Sequence, residues 1–292
     1  MSSAAGVCLL RAARSRCALF QIMSYDYAIH SDYLIHWTGK DIDREHDPSW
    51  YGSDKSKTDS NVDDRYLVRL RDILAYGLWM TDEAGWSPSS TLIVPPAPVC
   101  CFTELKVSES RRHARQYGRL GIGVKRPFLF ERFGRPLSYF GFGKVSNDVF
   151  LQSCARDLSD KSLMHFFKPM NSSTVLNYDY YSESEWRILF FEQLLQHHLI
   201  VDPRNPANQM EHQYFLSLTA AQQLKLKYLV PLDGWFQMII YPSLSVKNEA
   251  QKNSARSIRD EIARIKSLPD QANRVEGGNW PIETNLDACR HF

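Results

Sequence analysis

The segment 178–191 constrains the fold most. Tyr181, Glu183, Glu185 and Arg187 alternate there with Ser182, Ser184, Trp186 and Ile188. In a β-strand successive side chains point to opposite faces, so period-two alternation predicts a strand. Both glutamates then share one face. Trp186 and Ile188 share the other, toward the core.

Further strands are predicted at 33–38, 99–104, 120–124, 137–142 and 236–241, in short runs rich in β-branched and aromatic residues. Residues 218–229 read as a helix or as leading into a strand at 227–230. Helical spacing of Leu67, Leu70, Ile73, Leu74 and Leu78 predicts a helix over 64–78. Ile258, Ile262 and Ile265 form one stripe of an amphipathic helix over 245–268. Helices are also expected at 108–117 and 150–164. Residues 40–63 are polar and hold Pro48 and Gly52, so they read as a long loop suited to a lid. The Pro-, Ser- and Gly-rich stretch 81–98 reads as a connection, and 269–292 as a polar tail. The fold class expected is α+β: a mixed or split antiparallel sheet with peripheral helices, in one domain over 23–268.

Charge and cysteine usage narrow the function. The formal charge is +2, from 35 basic and 33 acidic residues. That balance argues against a nucleic-acid binder working through bulk charge, and leaves a local basic face open. Arg11, Arg14 and Arg16 are the only charges in residues 1–22, which read as a leader or disordered extension before Met23. Without that segment the formal charge is −1. The six cysteines, at 8, 17, 100, 101, 154 and 289, lack metal-knuckle or disulfide spacing. A reducing, cytoplasmic location is expected, with no metal. No run of 18 apolar residues is present, so no membrane partner is expected. Neither a dinucleotide glycine fingerprint nor a phosphate-loop motif occurs.

Several residues can carry chemistry. His36 and Thr38 share a strand face, and an imidazole beside a hydroxyl can hold a sugar diol through directional hydrogen bonds. The alternative is a histidine satisfied in the core or at an edge. Glu183 and Glu185 would repel, which raises one pKa. Such a pair can hold a proton, orient a nucleophile or stabilise a developing cation. The alternative is a solvated face on which Arg187 neutralises one glutamate. His113, Tyr117, Arg119 and Lys125 follow Glu104, and the cations among them suit a diphosphate. The alternative is an ordinary cationic helix face. Trp37, Tyr117, Tyr139 and Trp186 could stack on a base, or fill the core. Glu104, Glu183 and Glu185 around a metal would make a hydrolase. Cys101 and His113 could meet, but no oxyanion-hole motif accompanies them.

Read together, these segments resemble known families. Ile35-His36-Trp37-Thr38-Gly39, then Ile73-Leu74-Ala75-Tyr76-Gly77-Leu78, resembles the opening of ADP-ribosyltransferase-like families. There a strand carries His-x-Thr and the next helix carries Ile-Leu-x-x-Gly-Leu. Cys101-Phe102-Thr103-Glu104, His113, Tyr117-Gly118-Arg119-Leu120-Gly121-Ile122 and Tyr181-Ser182-Glu183-Ser184-Glu185-Trp186-Arg187 resemble the bacterial abortive phage infection family AbiGi, described as antitoxins. The resemblance spans about residues 30–265. It implies an ADP-ribosyltransferase-like fold with NAD as substrate. His36 and Thr38 would hold a ribose, Glu185 would be the catalytic glutamate, and Glu183 its partner. Tyr117 or Tyr139 would stack on nicotinamide, and Arg119 or Lys125 would fill a basic middle position. Two roles are compatible with it. One is an NAD-dependent transferase in phage defence or a toxin–antitoxin system, acting on RNA, DNA or a protein side chain. The other is a non-catalytic antitoxin or regulator that binds a partner protein or nucleic acid.

Overall fold

The aromatic, β-branched run at 33–38 opens the fold as β1 (Tyr33–Thr38). The computed structural model describes residues 33–46, 62–89, 92–104, 106–140, 149–169, 171–173, 178–179, 184–252, 256–268 and 279–291. The leader, most of the expected 40–63 loop, and Glu183 lie outside the described residues.

Gly39 ends β1 with φ +105, a backbone state that costs glycine little. Its lack of a side chain also lets Tyr66 close in, since a Cβ would stand 2.3 Å from that ring. The residues after it are not loop, as expected, but α1 (Lys40–His46), with Asp41 and Asp43 in its first turn. Acidic groups there complement the helix dipole. α2 (Val62–Tyr76) ends before Leu78, because Gly77 takes φ +111 and turns the chain into β2 (Leu78–Glu83). The stretch 81–98, expected as a connection, is largely sheet. It holds the hairpin of β3 (Trp86–Ser89) and β4 (Leu92–Val94) and the start of β5 (Ala97–Thr103).

Next come α3 (Ser110–Tyr117), β6 (Leu120–Lys125), α4 (Arg126–Phe130), β7 (Arg135–Pro136) and β8 (Ser138–Phe140). The helix expected over 150–164 is α5 (Val149–Asp157), which stops early. A 3₁₀ turn follows at Lys161–Phe166, where the Asp160 side chain accepts from the Ser162 backbone N–H. β9 (Phe167–Pro169) pairs with β8 in parallel, and β10 (Asn171–Ser173) pairs with β11 (Tyr178–Asp179). The strand read from the alternating segment is β12 (Glu185–Leu189).

The ambiguous region 218–229 holds both elements. α6 (Glu192–Gln196), α7 (Gln209–Ser217) and α8 (Ala220–Lys225) precede β13 (Tyr228–Val230). β14 (Phe236–Tyr241) follows. The long helix expected over 245–268 is divided into α9 (Leu244–Gln251) and α10 (Arg256–Ser267). Within the expected polar tail lies β15 (Ile282–Asn285), which pairs in parallel with β14. Its place in the sheet rests on pairing with a distant strand, which the polar local composition does not announce.

The architecture is mixed α+β. Among the described residues, nine strands form one sheet. Its order is β13-β2-β5-β1-β6-β14-β15, with β12 on β5 and β7 on β12. Every pairing in it is antiparallel except β14 with β15. Alternation gives it two apolar faces. Leu34, Phe102, Ile122, Trp186 and Ile239 bury with side chains of α2 and α10. Ile35, Trp37, Met238 and Ile240 bury with Ala114 of α3 and with Leu286 and Cys289 beyond β15. Each such side chain contributes about 1.5–3 kcal/mol on burial.

One feature of pairing positions the site. Thr103 of β5 pairs with Ile35 of β1 and with Glu185 of β12. Val99, four residues earlier, pairs with Thr81 of β2 and with Leu189 of β12. A strand has two edges, and β12 occupies one of them throughout. β1 and β2 therefore share the other edge and diverge from it, leaving a fork beside Cys100–Phe102.

Candidate functional site

His36 sits in the fork. Its Nδ1 lies 2.9 Å from the Cys101 carbonyl oxygen, a group that neither β1 nor β2 reaches as a ladder partner. A carbonyl only accepts, so Nδ1 carries the proton and Nε2 is left as an acceptor. Burial holds the imidazole below its ordinary pKa. The Cys101 carbonyl pulls the other way, and the Arg69 charge adds to the depression. A neutral histidine with its acceptor nitrogen available is suited to a hydroxyl.

A cleft of about 300 Å³ opens at the fork, and both His36 and Glu185 line it. Trp37, Cys101, Tyr117 and Lys168 are also in its wall. Glu185 is almost fully buried, and both its oxygens are engaged. Oε1 accepts from Arg187 Nε at 2.7 Å and Oε2 from Lys168 Nζ at 2.6 Å. Burial alone would raise its pKa, but the Arg187 and Lys168 cations hold it below the usual carboxylate range. Arg187 is committed further, donating to the His165 carbonyl at 2.8 Å and to Glu83 at 3.3 Å. Burial, and then the Glu185 charge, push the Cys101 thiol pKa upward, so the thiol is protonated at neutral pH.

A second lobe of about 220 Å³ shares His36, Trp37 and Tyr117 with the first. Thr38, Lys40 and Arg69 also line it. Arg69 donates to the Thr38 hydroxyl at 3.0 Å and pairs with Asp41 at 2.8 Å. Tyr66 fixes this corner, donating to the Gly39 carbonyl and accepting from the Arg119 backbone N–H, each at 3.2 Å. Gly118 closes α3 against the same corner with φ +115, and a Cβ there would lie 2.3 Å from the Thr38 oxygen.

Of the residues proposed from sequence, His36, Thr38, Tyr117 and Glu185 meet at this two-lobed cleft. Glu183 lies outside the described residues. Arg119 does not line either lobe. Its guanidinium pairs with the fully buried Asp43 at 2.8 Å and lies over the Tyr66 ring. Lys125 pairs in register with Tyr33, at the far end of β1 from His36. His36 itself faces Ile122, three residues or about 10 Å along β6. Neither cation is placed to meet a diphosphate in the cleft. Tyr139 stands behind Glu185, where its hydroxyl accepts from the Glu185 backbone N–H at 2.9 Å.

Glu104 is turned to the opposite sheet face. It accepts from Trp186 Nε1 at 2.8 Å and pairs with Arg126, so it does not join Glu185 around a metal. Among the described residues no group of His, Cys, Asp and Glu could hold one. Trp186 is a core residue. The sequence reading missed Lys168 and Arg69. Their partners lie 17 and 31 residues away, so no local pattern marks them.

Comparison with protein families, curated proteins and solved structures finds no match to this chain. The site itself must carry the functional argument. It offers a neutral imidazole acceptor, a carboxylate braced by two cations, and a second lobe with Arg69 at its edge.

Proposed function

We propose that the forked cleft binds NAD and that the chain is an ADP-ribosyltransferase-like protein of phage defence or a toxin–antitoxin system. The observation that carries this reading is the shared cleft of His36 and Glu185. Its two lobes suit an elongated, two-part ligand such as a dinucleotide. His36 Nε2 would accept from a ribose hydroxyl, and Glu185 would face the nicotinamide-bearing carbon.

The reaction breaks the bond from ribose to nicotinamide. The bonding pair leaves with nicotinamide, and the ribose carbon passes through an oxocarbenium-like state. An acceptor nucleophile then bonds to that carbon and loses its proton. A fixed carboxylate favours the developing cation over the substrate, which is differential binding. The raw attraction is about 4 kcal/mol at ~4 Å and an effective dielectric near 20. Lys168 and Arg187 offset part of it while they hold Glu185. RNA, DNA and a protein side chain are the acceptor classes to assay, in that order.

NAD consumption by the wild type against Glu185→Gln tests the reading, with circular dichroism as the folding control. Turnover lost in a folded variant supports it. An NAD-soaked crystal should place His36 beside a ribose. A second reading, a non-catalytic antitoxin or regulator, draws support from the neutralisation of Glu185 by two cations. It predicts a wild type that neither binds nor consumes NAD.

A further inference from the structure

Beside the second lobe lies a third compartment of about 160 Å³, which shares Arg69 and Trp79 with that lobe. Arg65, Arg69 and Asp72 recur at three- and four-residue spacing on α2, so one helix face supplies one wall. Trp79 of β2, Tyr214 of α7 and Gln222 of α8 also line it. Two polar groups of this lining are uncommitted. Among the described residues Asp72 has no hydrogen bond or ion pair, and a carboxylate only accepts. Burial raises its pKa to about 6 against the pull of Arg69 and Arg71, so it is mostly ionised at neutral pH. Gln222 Oε1 accepts from the Thr219 backbone N–H at 3.0 Å and from the Thr219 hydroxyl at 2.9 Å. That capping box sets the orientation of the amide and leaves Nε2 a donor with no partner among the described residues. Trp79 and Tyr214 spend their polar groups on each other, the indole N–H donating to the tyrosine hydroxyl at 3.2 Å. They are left to offer apolar ring surface.

An acceptor and a donor among aromatic walls suit a planar ring whose edge carries a donor next to an acceptor. Adenine has such an edge, because its exocyclic amine donates and the neighbouring ring nitrogens accept. Arg65 and Arg69 in the same lining disfavour a free ammonium ion there, and Asp72 disfavours an anion. We infer that the third compartment is an adenine site, in which Asp72 accepts from the exocyclic amine and Gln222 Nε2 donates to a ring nitrogen. This rests on the NAD reading above, to which it adds the seat of the base and the residues that select it. A base with an oxo group in place of the amine turns an acceptor toward Asp72 and is repelled.

The test uses the full chain and calorimetry with NAD and with nicotinamide hypoxanthine dinucleotide, in which an oxo group replaces the amine. The wild type should bind NAD about tenfold more tightly. Asp72→Asn can turn an amide N–H toward the oxo group, so the gap should close, chiefly through tighter binding of the hypoxanthine compound. In the wild type, the ¹³C resonance of the Asp72 carboxyl should shift when adenosine alone is added, a readout that does not need the variant to fold. Equal affinity of the wild type for the two dinucleotides, or the same preference in Asp72→Asn, overturns the inference and leaves the NAD reading standing. An Asp72 resonance unmoved by adenosine in a protein that binds NAD does the same. Adenosine that shifts Asp72 in a protein that ignores NAD ends the NAD reading and keeps the adenine site. No response to either compound ends both.

Discussion

His36 and Glu185 line one cleft although strand alternation points them to opposite faces of the sheet. Leu34, on the His36 face, packs with Phe102 and Trp186, whereas Glu185 shares the face of Ile35 and Thr103. An unbroken sheet would keep them apart. They meet because β1 leaves β5 after the single pairing of Ile35 with Thr103, so that His36 stands in the opening.

Glu185 and Lys168 should behave as one energetic unit. Their side chains are 7% and 14% exposed, so solvent screens the pair little. Glu185→Gln keeps the shape and removes the charge that both Lys168 and Arg187 face. Breaking such a pair should cost about 3 kcal/mol, read as a shift in the denaturant midpoint. Adding Lys168→Met should return part of that loss. A double variant no more stable than Glu185→Gln would show that the two residues are not coupled.

His36→Phe should weaken binding more than chemistry. Phenylalanine leaves the Cys101 carbonyl without its donor, at about 1–3 kcal/mol. It also removes the Nε2 acceptor. The Kd for NAD should rise while Glu185→Gln mainly lowers kcat. Titration calorimetry and single-turnover NAD cleavage separate the two effects. Equal losses in both parameters for both variants would refute this division of labour.

How much of this was readable from sequence depends on the range of the interaction. The strands β1, β5, β6, β12 and β14 follow from local alternation and β-branched content. His36 and Glu185 stand out because the residues around them form short patterns. The fork is different, because it depends on which strands share the edge of β5, a choice made by distant segments. Arg119 looks like a ligand-binding cation in sequence, yet Asp43, 76 residues away, neutralises it. Lys168 carries no local mark at all, and β15 hides in polar composition because its pairing with β14 supplies its order.

Acid sensitivity should be traceable to His113. Its pKa is about 4 in the fold against an ordinary 6.5. Between those values the unfolded chain binds the proton more readily, so stability rises with pH there. The contribution is complete above about pH 6.5 and is lost as pH falls toward 4. His36, held below its ordinary pKa by burial, and Asp72, raised to about 6 by burial, add pH dependence of their own. Both are present in the wild type and in His113→Leu, so the difference between the two melting curves isolates His113. That difference should widen steadily from pH 6.5 down to pH 4. A constant gap would mean that His113 is not held neutral by its surroundings.

Removing residues 279–292 should damage the cleft. A dispensable tail would predict no effect. β15 instead adds hydrogen bonds to β14, and Leu286 and Cys289 bury against Ile35 and Trp37. Glu283 accepts from the Tyr241 hydroxyl at 2.6 Å and pairs with Arg259 at 3.0 Å, which ties the strand to α10. Losing Leu286 alone withdraws about 2–5 kcal/mol of packing, judged from large-to-small core changes. Ile35 and Trp37 are also wall residues of the first lobe, so their support and the shape of the site are lost together. The truncated chain should unfold at lower denaturant and bind NAD more weakly than the full chain. Leu286→Ala should reproduce part of both effects. If truncation left the midpoint and the NAD affinity unchanged, β15 would have no part in holding β1 in place.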